Sequence, residues 1–114
     1  MKLINKTNGN TLAENIKVAD NPLTRMKGLL GRKRFKKGEG LHIIPCNNIH
    51  SFFMKFEFDA IFIDKKNKIK YLAENIPPWT WAKFCFFAYS VIELPAGTIK
   101  ETGTQIDDEL EFID

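Results

Sequence analysis

The chain reads as a mainly β, single-domain sandwich or barrel of short, mostly antiparallel strands with one short helix near residues 22–30. Three observations predict this. Short apolar runs recur at close spacing, each bounded by Gly, Pro or Asn-rich turn signals. A single stretch combines helical apolar spacing with start and stop signals. The 114 residues are 44% hydrophobic and 12% aromatic, with ten phenylalanines, which supplies one modest core rich in aromatic packing and argues against disorder.

The elements follow in order. Residues 2–5 and 11–18 flank the turn signal Thr7-Asn8-Gly9-Asn10 and predict an N-terminal hairpin. Over 22–30, Asn21 suits the cap, Pro22 the first helical position and Gly31 the stop. Leu23, Met26 and Leu30 form the stripe that would dock this helix on a sheet. Gly38-Glu39-Gly40 reads as a turn and 41–44 as a buried strand stopped by Pro45. Alternation predicts a strand over 52–58, and the apolar run 60–64 predicts another. The polar turn 65–68 joins it to a partner over 69–74. Pro77-Pro78 opens a loop carrying Trp79 and Trp81, and 83–89 is apolar and aromatic. A strand over 90–94 leads to the turn Pro95-Ala96-Gly97, 98–102 is left open, and 109–113 closes the chain as a strand. No repeat or linker divides residues 1–114, so one domain is expected.

Composition narrows the function classes. No apolar segment follows the basic start, so no secretory signal is expected. No apolar run reaches the roughly 18 residues of a membrane span, so no membrane association is expected. Two cysteines, Cys46 and Cys85, are too few for a disulfide framework, and reduced thiols in a cytoplasmic protein are the expectation. Charge is uneven: residues 1–57 hold 11 Lys and Arg against 4 Asp and Glu, and residues 58–114 hold 6 against 10. The basic excess gathers in Lys27, Arg32, Lys33, Arg34, Lys36 and Lys37. A basic segment at 27–37 suits phosphates or an acidic partner, though charge runs are more often solvated loops.

Chemistry concentrates in residues 45–64, PCNNIHSFFMKFEFDAIFID. Cys46 and His50 stand four apart. They are too few for a closed zinc site, which takes about four ligands, and only Cys85, His42 and carboxylates remain to complete one; no metal site is expected. As nucleophile and base, Cys46 and His50 would need Asp59 or Asn48 as the orienting third group. The plainer alternative packs Cys46 as a small hydrophobe. Asp59 lies among Phe56, Phe58, Ala60, Ile61 and Phe62, where a carboxylate must pair or accept hydrogen bonds. Arg25 or Arg32 is a candidate partner. Asp59 is read equally as a ligand contact or base and as a fastener of a helix or turn. Glu93 reads as a strand-end pairing residue. The aromatic residues Trp79, Trp81, Phe84, Phe86, Phe87 and Tyr89 lack interleaved cations except Lys83, which favours packing or partner binding over base stacking.

Several blocks in fixed order resemble the DUF192 family of small domains of unknown molecular function. They are Arg25 to Arg32, Gly38 to Leu41, Pro45 to Met54, Asp59 to Asp64, and Glu93-Leu94-Pro95-Ala96-Gly97-Thr98. The resemblance implies a sandwich or jelly-roll-like β fold with a short helix and brings no reaction, cofactor or partner. Within that family the chain is similar to a subgroup with a PCxxIHxxFM block. It departs from the commoner pattern at Phe53 and at Phe56-Glu57. The expected function is a small binding module for a small molecule or peptide. Arg25, His50, Ser51 and Asp59 would supply polar contacts, with Phe53, Met54 and Trp79 as apolar walls. The alternatives are a hydrolase- or transferase-like enzyme using Cys46, His50 and Asp59, and a nucleic-acid-associated protein using 27–37.

Overall fold

A computed structural model describes residues 1–21, 35–51, 54–80 and 83–114. The helix predicted over 22–30 lies outside the described residues, as do Arg25 and Phe53. The described strands are β1 (Lys2–Asn5), β2 (Thr11–Ala13), β3 (Asn15–Ala19), β4 (Glu39–Ile43), β5 (Asn48–Ile49), β6 (Phe58–Ile63), β7 (Ile69–Ile76), β8 (Lys83–Phe84), β9 (Ser90–Pro95) and β10 (Leu110–Ile113). A short helix, α1, spans Thr98–Thr102. The chain is therefore mainly β, as the turn spacing predicts. A five-stranded sheet runs β3-β4-β9-β6-β7, a three-stranded sheet β10-β1-β2 and a two-stranded ribbon β5-β8. Only the β3–β4 pairing is parallel among the described pairs.

Both central strands of the large sheet are covered on two sides, which explains their near-continuous apolar sequence. Every residue of β6 is buried, as are all of β9 but Pro95. The pleat sends alternate residues to opposite faces. Ile61, Ile63, Ile92 and Leu94 join Leu3 and Leu12 of the small sheet, Ile16, Ile69, Ile99 and Leu110 in one core. Phe58, Ala60, Phe62 and Val91 join Ile49, Met54, Ala73 and Ile76 in a second core on the other face. Phe35, Leu41, Cys46, Phe56, Cys85 and Ala88 pack half-buried against that second core.

Three local readings change. The strand expected over 11–18 divides at Glu14: β2 pairs with β1, whereas β3 crosses to the large sheet beside β4. The N–H groups of Glu14 and Asn15 both donate to the Gly38 carbonyl, which anchors that crossing. The turn at Gly38 takes φ 91°, but Glu39 and Gly40 already belong to β4. A Cβ on Gly40 would stand 2.3 Å from Ile16 Cδ1 and 2.9 Å from Leu94 Cδ2, so glycine lets β4 lie close against that core. Of the strand expected over 52–58, Phe52 and Phe53 lie outside the described residues. Residues 54–57 are not strand, with the Met54 N–H turned back to the Ser51 carbonyl at 3.1 Å, and β6 starts at Phe58.

Candidate functional site

Ser51 ties two loops together. Its hydroxyl donates to the Pro77 carbonyl and accepts from the Thr80 N–H at 2.7 Å. Its own N–H donates to the Thr80 carbonyl, and its carbonyl accepts from Trp79 at 2.8 Å and from Met54. Ser51 is fully buried, so these bonds replace the water it loses. The stitch brings His50, Met54 and Trp79 together at the β5 end of the fold. His50 is exposed, Met54 is buried in the second core, and Trp79 is 60% exposed with φ 61°.

Asp59 stands elsewhere. It shares the face of Ile61 and Ile63, at a bulge where Phe58 opposes Ile76 and Ala60 opposes Ala73. One carboxylate oxygen accepts the Asn75 N–H at 2.8 Å, and the other accepts the Ile99 N–H at 2.9 Å. Asn75 has φ 50°, so the buried carboxylate holds a left-handed turn of β7. The Ile99 bond serves an N–H in the first turn of α1, where the N-cap Gly97 offers no side chain. The structure thus gives Asp59 the fastening geometry and places it on the opposite sheet face from Met54.

Cys46 lies half-buried against the second core. Its N–H donates to the Tyr89 carbonyl, and its thiol donates to the Asn48 carbonyl at 2.9 Å. Cys46 and Cys85 are not joined in a disulfide. Among the described residues no cluster of three or more His, Cys, Asp or Glu has metal-binding geometry.

Two polar residues enter the picture from the large sheet itself. Glu93 occupies the middle of β9, opposite Leu41 on one neighbour and Ala60 on the other. It shares the Val91 face and is 5% exposed. Burial pushes its carboxyl up to about 8, so it is largely protonated at neutral pH. Among the described residues none donates a hydrogen bond to it. His42 lies on the other face of β4, with Nε2 2.8 Å from the Ser90 hydroxyl and its ring stacked on Phe112 at 4.7 Å. Burial pulls its imidazole down to about 4 and keeps it neutral. The sequence signal for Glu93 was a lone acid inside the apolar run Ser90 to Leu94; reading it as a strand-end residue missed that its strand is the middle one.

The family described as Uncharacterized ACR, COG1430 (DUF192) matches residues 3–112. The chain is 30% identical to a UPF0127 protein of Thermococcus sibiricus, over 96% of this chain and 73% of that one. It is 25% identical to a UPF0127 protein of Pyrococcus furiosus, over 96% and 97% of the two chains. A Sinorhizobium meliloti crystal structure, of a protein proposed to be a transcription regulator, superposes with a TM-score of 0.83 at 25% identity, covering 96% of this chain and 89% of that one. A protein of unknown function from Novosphingobium aromaticivorans reaches a TM-score of 0.85 at 18% identity, over 97% and 84% of the chains, and shows the shared fold.

Proposed function

The chain belongs to the DUF192 family, and from that premise we propose that it is a small cytoplasmic binding module whose ligand lies over the Glu93 face of the large sheet. The observation that carries this reading is the buried Glu93 carboxyl on an otherwise apolar face. Leucine or glutamine there would be cheaper for folding, so an acid at this buried position points to use. Phe35, Phe56 and Met54 supply apolar walls, and His50 and Trp79, tied to Met54 through Ser51, form the rim. Arg25 and Phe53, candidates from the sequence, lie outside the described residues. Asp59 supports the loop and α1 rather than touching ligand. A protonated Glu93 donates one hydrogen bond, which suits a small, largely apolar molecule with an acceptor oxygen.

A thermal-shift screen of small metabolites tests this, followed by calorimetric titration of any hit. Glu93→Gln keeps a donor and is expected to bind within a few-fold of the wild type. Glu93→Leu is expected to weaken binding about tenfold or more, the worth of a buried hydrogen bond. Equal affinity in wild type and Glu93→Leu would place the ligand elsewhere and end the proposal.

A second reading draws on the likeness to the protein proposed to be a transcription regulator and on the basic 27–37 segment. Nucleic-acid association would then depend steeply on salt and weaken on reversing Lys33, Arg34, Lys36 and Lys37 to Glu. Absent or salt-independent binding in a fluorescence-anisotropy titration with DNA and RNA oligonucleotides removes it.

A further inference from the structure

The segment from Lys83 to Tyr89 turns outward as an aromatic tip. Its base is fixed: β8 pairs with β5, Cys85 donates to the Asn47 carbonyl at 2.9 Å, and Tyr89 donates to the Ile63 carbonyl at 2.8 Å. The Ala88 N–H returns to the Cys85 carbonyl at 3.2 Å, which makes Phe86 and Phe87 the two central residues of a reverse turn. They are 82% and 81% exposed. Phe84, half exposed, leans edge-on against Phe86 with ring centroids 4.8 Å apart. Trp79 and Tyr89 are also exposed, and their polar ring atoms suit them to a wet boundary. Isolated exposed apolar residues are ordinary, but adjacent phenylalanines at a turn tip form a concentrated patch.

Lysines dominate the charge beside the tip. No Asp or Glu occurs from Asn75 to Ile92, and Lys83 lies within the tip. Lys65 holds its ammonium 5.2 Å from the centre of the Tyr89 ring, with exposed Lys66 next to it in the same turn. The neighbouring acid, Asp64, is engaged. Its Oδ1 accepts the N–H groups of Lys66 and Lys68, and its Oδ2 pairs with Lys70 at 3.6 Å.

We propose that this tip inserts into the interface of an anionic lipid bilayer, carrying the domain as a peripheral protein. Two arguments select a lipid surface over a protein partner. A convex turn with both rings standing clear is surrounded on all sides by fluid acyl chains, whereas a protein partner would need a matching cavity. Phenylalanine at the tip, tryptophan and tyrosine behind it and lysines around it also reproduce the order of groups from the hydrocarbon boundary outward. Among the described residues no helix is long and apolar enough to cross a membrane, so this would be surface attachment. Such attachment departs from the expectation of no membrane association, which rested on the lack of a spanning segment and did not weigh surface attachment.

The test is sedimentation of the full chain with phosphatidylcholine vesicles, with and without phosphatidylserine, alongside tryptophan emission. The expected result is binding to the phosphatidylserine vesicles with a blue shift, weakened by salt. The double variant Phe86→Ser/Phe87→Ser is expected to lose about tenfold or more in partitioning. Lys83→Glu is expected to lose about fivefold or more. Circular dichroism melting that matches the wild type separates this loss from misfolding. Two outcomes overturn the proposal: no wild-type binding to anionic vesicles, or equal binding by the double variant. If the wild type ignores vesicles and sediments as a dimer that the double variant dissolves, the tip joins two copies of the chain instead. The double variant leaves Glu93 untouched, so failure here is distinct from failure of the ligand proposal.

Discussion

Glu93→Gln separates a functional acid from a structural one through pH. The unfolded chain releases the Glu93 proton near the ordinary 4.5, and the folded chain holds it to about 8. Below 4.5 both states are protonated and the folded state keeps its full contribution. Between 4.5 and 8 the unfolded state sheds its proton and gains stability that the folded state does not, so folding stability falls as pH rises. At about 1.4 kcal/mol per pH unit, the whole fall is of order 5 kcal/mol. That is a large share of the roughly 5–15 kcal/mol by which domains are stable. Glutamine keeps the shape and does not titrate. Urea unfolding at pH 4.5, 6, 7 and 8 should therefore show the variant pulling ahead as pH rises, by about 3–5 kcal/mol at pH 8. His42 titrates in an overlapping window with the opposite sign, but it is present in both proteins and cancels in the difference. Parallel stability curves for the two proteins would refute the reasoning, because they would mean that Glu93 ionises as freely folded as unfolded.

Other perturbations read the remaining polar groups. His42, held at about 4, contributes stability above its ordinary 6.5 that is lost as pH falls through 4, about 3 kcal/mol in all; His42→Gln should flatten that acid limb, and an NMR titration should find the ring neutral at pH 6. Asp59→Ala strands the Asn75 and Ile99 N–H groups and should cost about 2–4 kcal/mol by thermal or urea unfolding, while ligand affinity per folded molecule stays unchanged. Gly40→Ala drives a methyl into Ile16 and Leu94 and should cost about 1–3 kcal/mol, measurable in the same unfolding assay.

The local vocabulary of the chain was legible in its residues. Gly, Asn and Pro punctuated the strands where turns form, and the ordered blocks from Arg25 to Thr98 carried the family. These signals act over a few residues, so they survive without tertiary information. Alternation alone did not divide the strand at Glu14, because the choice between two sheets rests on the Gly38 carbonyl, which lies more than twenty residues away along the chain. The same limit governs the site. Asp59 and His50 are close in sequence, yet the pleat and the bulge in β6 turn the carboxylate to the face of α1, where Ile99 meets it. The sequence by itself determined that a mainly β chain would place an isolated acid in the apolar run Ser90 to Leu94. Only the tertiary structure decided that this run is the middle strand, with β4 and β6 on its two sides. Removal of water by those distant neighbours is what turns Glu93 from a strand-end charge into a buried, protonated acid.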